Sequence, residues 1–147
     1  MVSHAVVAFP FESFAAFALL QSRVHEYWSR LLGSSMKDDL RYTASDCFDT
    51  YPLPCRPIDL AGNSPCLGGS ALEEIERLGG IYYASRRHVM TSSGEGLTLT
   101  YNRFHDPSET SPELLELRRL HGEMDQAVLN AYGWSDVPTA CGFGLDY

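Results

Sequence analysis

Apolar residues recur at spacings of three and four from Glu12 to Leu32. Phe14, Phe17, Leu20, Val24, Trp28 and Leu31 form one stripe, with Ser13, Gln21, Glu26, Ser29 and Arg30 mostly off it. That period predicts a single amphipathic helix, with Gly33 as its stop. A second helix is predicted from Ser70, where Ser70 and Glu73 have the capping-box spacing ahead of Leu72, Ile75, Leu78 and Tyr82. Gly79 and Gly80 lie inside it and cost about 1 kcal/mol each relative to alanine, so a kink or weak point is expected there. The clearest element follows Ser111, a candidate cap. Pro112 suits the first turn, Glu113 the dipole, and Leu117, Leu120, Met124, Val128 and Ala131 the buried stripe, with Gly133 as terminator.

Other segments change period. Residues 5–11, AVVAFPF, read as a short strand, and Pro10 confines it to an edge or a strand end. Asp39 to Pro54 reads as extended, with Tyr42, Thr43, Phe48 and Tyr51 as strand formers. Residues 55–70 carry the glycine, proline and serine of a loop. Leu97, Leu99 and Tyr101 fit period two, whereas Leu97, Tyr101 and Phe104 fit a helical face; helix is the expectation for 97–104. The tail TACGFGLDY has no pattern. The fold class expected is α+β, mostly α-helical: a short N-terminal strand and an extended segment, then a helical C-terminal module.

Composition narrows the function classes. The chain has 147 residues, 44% hydrophobic and 20% charged, which excludes wholesale disorder and collagen-like repeats. No apolar run approaches the roughly 20 residues of a membrane span, and MVSHAVVAFPFESF lacks a basic secretory n-region. A cytoplasmic protein is expected. Net charge is −8, unevenly placed: residues 1–70 carry 5 basic and 7 acidic side chains, residues 71–147 carry 6 and 12. Charge alone argues against nucleic acid, because nonspecific affinity comes from neutralising phosphates with lysine and arginine.

No complete catalytic apparatus is visible. Cys47, Cys55, Cys66 and Cys141 form no CxxC pair, and the five histidines form neither HxH nor HxxxH, so no metal site is expected. Ser45, Asp46 and Cys47 lack an adjacent histidine, and a turn held by Ser45 or Asp46 is the simpler reading. His105 and Asp106 offer only a weak pair for a small hydrolase. Gly68 and Gly69 lack the spacing of a phosphate cradle.

Four segments nevertheless share one resemblance. SFAAFALLQSRVHEYWSRLLGSSM, LRYTASDCFDTYPLP, GEGLTLTYNRFHDP and LRRLHGEMDQAVLNAYGWSDVP, in that order, resemble the C-terminal part of type IIG-like restriction–modification enzymes. Those are large single-chain adenine-specific DNA N6-methyltransferases with a target recognition domain. The resemblance covers most of the chain apart from about residues 55–70. It implies the end of a target recognition domain at 1–55, a linker loop at 56–70 and a helical C-terminal module at 71–147. The family's glycine-containing S-adenosylmethionine motif, its Asn/Asp-Pro-Pro-aromatic motif and its nuclease motif are not in this chain. The chain is therefore expected to be a specificity fragment, inactive alone and without a cofactor of its own. S-adenosylmethionine belongs to the parent family.

The resemblance implies a methyltransferase domain or subunit as partner, double-stranded DNA in that context, no membrane, and a place in phage defence. It also answers the charge objection, because base reading needs only a few well-placed side chains and the partner supplies phosphate contacts. The candidate DNA contacts are Arg23, Arg30, Arg41, Thr43 and Ser45, with Tyr42 beside them. Arg30 has Glu26 as an alternative partner, and Arg103 is expected to pair with an acid such as Asp106. The alternative function is a stand-alone helical protein-interaction module without a DNA role. A cut from a larger protein would leave the strand edge and the aromatic helix uncovered. Residues 71–133 are therefore expected to be better ordered than 1–55.

Overall fold

In the computed structural model, which describes residues 7–36, 39–54, 70–134 and 136, the stripe from Glu12 to Leu32 becomes two helices. They are α1 (Phe14–Gln21) and α2 (Arg23–Leu32). The break falls at Ser22, whose hydroxyl donates to the Leu19 carbonyl at 2.8 Å and accepts the His25 N–H at 3.4 Å. A serine oxygen in that role caps a new helix instead of continuing the old one. Asp125, 102 positions along the chain, accepts the Arg23 N–H at 3.0 Å. The single-helix expectation fails because this second acceptor is remote in sequence.

The buried face of α1 also differs from the predicted aromatic stripe. Ala15, Ala16, Ala18 and Leu19 are buried, whereas Phe14 is 39% exposed and Leu31, at the end of α2, is 76% exposed. The cause is a close helix crossing with α3 (Ser70–Ser93). A Cβ on Gly79 would stand 2.3 Å from the Phe14 carbonyl oxygen and 3.1 Å from the Ala18 Cβ. Small residues on both helices permit that approach, and aromatic rings are displaced to the flanks. The Gly79–Gly80 pair lies within one continuous helix, Ser70–Ser93. Glu76 of α3 fixes the start of α1. Its carboxylate accepts the Ser13 hydroxyl at 2.7 Å and the N–H groups of Phe14 and Ala15 at 3.1 and 2.6 Å.

The predicted strand over 5–11 is not found among the described residues. Residues 7–11 carry no strand, and residues 5 and 6 lie outside the described residues. Pro10 lacks an N–H, and the Phe9 and Phe11 rings pack on Phe48 at 4.6 and 6.4 Å. Among the described residues, β structure is limited to an antiparallel hairpin, β1 (Ser34–Met36) and β2 (Asp39–Arg41), with Ser34 opposite Arg41. The fold is mostly helical, and no larger sheet supports an α+β label. The extended reading of 39–54 holds for β2 and fails at Ala44–Phe48, which form one π-helical turn. The loop 55–69 and the tail 139–147 lie outside the described residues.

The helical expectations for the second half hold. α4 spans Leu97–Phe104 and α5 spans Pro112–Tyr132. Gly133 ends α5 with φ +74°, and the N–H groups of Gly133 and Trp134 return to the Asn130 and Leu129 carbonyls at 3.0 Å. Ser111 occupies the cap position of α5, but its hydroxyl accepts from Arg103 at 3.4 Å and caps no amide of its own helix. The Arg118 guanidinium donates to the carbonyls of Arg103, Phe104, Asp106 and Glu109, fixing the α4–α5 connection. One core unites Ala15, Ala18 and Leu19 of α1, Ile75, Leu78 and Tyr82 of α3, Phe104 of α4, and Leu117, Met124 and Val128 of α5.

Candidate nucleic-acid interface

The start of α2 is positioned from two sides, by Ser22 and by Asp125. Asp125 is fully buried, and its Oδ2 lies 3.7 Å from Arg23 Nε and 3.0 Å from His121 Nδ1. The directional bond is the Arg23 N–H on Oδ1, whereas Oδ2 and His121 Nδ1 lie close without hydrogen-bond geometry. The opposite, inner face of α2 carries His25 and Ser29, both buried. Helical spacing therefore turns Glu26, Tyr27 and Arg30 outward, and Tyr27 is 59% exposed.

The π turn docks on that inner face. His25 Nε2 meets the Tyr42 hydroxyl at 3.0 Å, and the Tyr51 ring stands edge-on to His25 with centroids 4.5 Å apart. Trp28 Nε1 donates to Thr50 Oγ1 at 3.0 Å, and the buried Cys47 thiol faces the Ser29 carbonyl at 3.8 Å. Within the turn the Cys47 N–H reaches the Thr43 carbonyl, and the Asp49 N–H reaches the Ala44 carbonyl, each at 2.9 Å. Ser45, Asp46 and Asp49 are left exposed.

Burial moves the titrating groups of this inner layer. Desolvation lowers His25 from 6.5 to about 4, and raises Tyr42 to about 12, aided by the charges of Cys47 and Asp49. Burial pushes Tyr51 up as well. His25 is thus neutral in the folded chain near pH 7, with its Nδ1 buried and lacking a hydrogen-bond partner. A histidine held neutral binds fewer protons folded than unfolded, so its contribution is present above pH 6.5. That contribution is lost as pH falls from 6.5 towards about 4. Burial shifts His105 in the same direction. Urea melts between these limits should show stability rising with pH, and His25→Gln should reduce the slope by up to one proton. An unchanged slope in that variant contradicts a neutral buried His25.

The five sequence-derived candidates are all on α2, β2 or the π turn, but their side chains are differently engaged. Arg23 is drawn inward to Asp125. Arg30 pairs with Glu26 through Nε and Nη2, at 2.9 and 2.8 Å, both to the same carboxylate oxygen. Arg41 stands in β2 opposite Ser34; what its side chain does lies outside the described residues. Thr43 and Ser45 donate their hydroxyls to Asp46, at 2.7 and 3.2 Å. Asp46 therefore holds the turn through the side-chain hydroxyls of Thr43 and Ser45.

Arg103 pairs with Glu95 and Glu109, at 3.1 and 2.7 Å, and not with Asp106. Asp106 accepts the Ser108 N–H and hydroxyl instead, and His105 packs against Phe104 with centroids 5.1 Å apart. His105 and Asp106 thus form no catalytic pair. The structure adds His25, Glu76 and Asp125 as positioning residues. Asp125 was detectable as a carboxylate on the buried side of the Leu117–Met124–Val128 stripe.

Among the described residues no group of three histidine, cysteine or acidic side chains could hold a metal, and no helix is long and apolar enough to cross a membrane. Gly79 and Gly80 face Phe14 across a helix crossing. Gly68 and Gly69, the glycine pair weighed as a phosphate cradle, lie outside the described residues. No curated protein and no solved structure matches the chain. Residues 1–55, the segment holding α1, α2, the hairpin and the π turn, match the family model of the MmeI target recognition domain, in keeping with the type II restriction–modification resemblance of the sequence.

Proposed function

We propose that the chain contributes DNA target recognition in a restriction–modification system, as a C-terminal specificity piece beside a methyltransferase domain or subunit. The observation that carries this reading is the family match over 1–55. Double-stranded DNA is met by the outer face of α2, the hairpin and the Thr43–Ser45 edge. The helices after Ser70 serve as packing support, since their surface charges are largely spent on each other, as in Glu74–Arg77 and Glu116–Arg119. Methyl transfer from S-adenosylmethionine, in the cytoplasm and in phage defence, is assigned to the partner.

Selection from a random duplex pool by the immobilised full chain, with the partner methyltransferase domain or subunit added, tests the reading. At about 50 mM salt, where phosphate contacts are strongest felt, we expect enrichment of a defined sequence, abolished by Arg41→Ala and kept by Arg119→Ala. Retention of no sequence by the wild-type chain with its methyltransferase partner present overturns it. A second reading, a protein-interaction module, is favoured by the exposed Phe14 and Tyr83 rings, 5.6 Å apart. It predicts no enrichment in the same selection.

A further inference from the structure

The two arginines of α2 are in different states. Arg23 is 19% exposed and tied to the buried Asp125, whereas Arg30 is 48% exposed with Glu26, itself 42% exposed, one helical turn before it. Both Arg30 donors that face the helix converge on one Glu26 oxygen, so a phosphate that recruits this guanidinium must displace a carboxylate already in place. Exposed pairs of this spacing add only about 0.3–0.5 kcal/mol to stability. The pair is thus a weak contributor to the fold, yet a direct competitor for an anionic ligand of the same guanidinium.

We propose that Glu26 is a specificity-determining residue: it withholds Arg30 from phosphates of non-target DNA, so that Arg30 joins only when contacts elsewhere have seated the duplex. The inference rests on the DNA-recognition reading above. It assigns discrimination to a repulsive element as well as to attractive ones. A duplex held only by diffuse attraction gains little by breaking the Arg30–Glu26 pair, and Glu26 adds its own repulsion to the nearest phosphate. A seated duplex presents a phosphate at fixed range and repays the exchange.

The test is a salt series of anisotropy titrations with a labelled mixed-sequence duplex, using the full chain, Glu26→Gln, Arg30→Ala and the double variant. Glu26→Gln should bind mixed-sequence DNA about twofold more tightly near 50 mM salt, the scale of the pair it removes, with a steeper salt slope. Arg30→Ala should leave mixed-sequence binding unchanged while weakening the sequence recovered by selection. The double variant should return to the wild-type level, because without Arg30 there is nothing to release. Thermal midpoints should agree across the set, which separates release from unfolding. Unchanged binding by Glu26→Gln overturns the inference, and so does weaker mixed-sequence binding by Arg30→Ala, since net charge alone then explains both changes. Selection that succeeds while Glu26→Gln binds as wild type sinks this inference alone. Selection that fails sinks the recognition reading and this inference with it.

Discussion

Gly79→Ala is expected to destabilise the chain by about 2 kcal/mol, although the same change in an exposed helix gains up to about 1 kcal/mol. The added Cβ would lie 2.3 Å from the Phe14 carbonyl oxygen, a backbone atom that cannot turn aside. α1 must move off α3, opening the packing of Ala15, Ala18 and Leu19 and straining the Glu76 bonds to the start of α1. Gly80→Ala is the internal control. Its Cβ meets the Phe14 ring at 3.3 Å, the far end of a side chain that is already part exposed. That variant should be neutral or slightly stabilised. Denaturant melts of both read the difference directly, and equal stability of the two variants contradicts the close crossing.

The second large effect is expected at Asp125. Asp125→Ala removes the acceptor of the Arg23 N–H and the anion beside His121. Breaking a buried pair from one side costs about 3–5 kcal/mol, and the lower end applies because Arg23 retains access to water. Asp125→Asn keeps an acceptor for the Arg23 amide and should cost about 1 kcal/mol, the scale of one hydrogen bond. Amide exchange at the first turn of α2 should rise sharply in the alanine variant and little in the asparagine one. Equal losses in the two would assign the effect to charge and leave the amide contact without weight.

The contrast between readable and unreadable features follows from range. α5 was legible because its signals are local: Pro112 at the first turn, the Leu117–Leu120–Met124–Val128 stripe, and Gly133 at positive φ. α4 was legible at Phe104, which the helical face buries. The break at Ser22 was not, since half of its cause is a carboxylate 102 residues away. The buried face of α1 was misread for a related reason. Aromatic residues carry the larger apolar area, but Gly79 on a distant helix permits a backbone approach that only alanine can line. At the candidate interface, the matched segment was recognisable from LRYTASDCFDTYPLP and its neighbours. The engagement of Thr43 and Ser45 with Asp46 was not, because it depends on a π turn where side-chain types indicated an extended chain.

Hydrogen exchange of the full chain, with and without the duplex recovered by selection, tests most directly whether the matched segment carries the DNA-facing surface. The account predicts slowed exchange in α2, across β1 and β2 and in the Thr43–Phe48 turn, with the outer faces of α3 and α5 unchanged. Slowing confined to α3 and α5, with none in α2 or the turn, would contradict it.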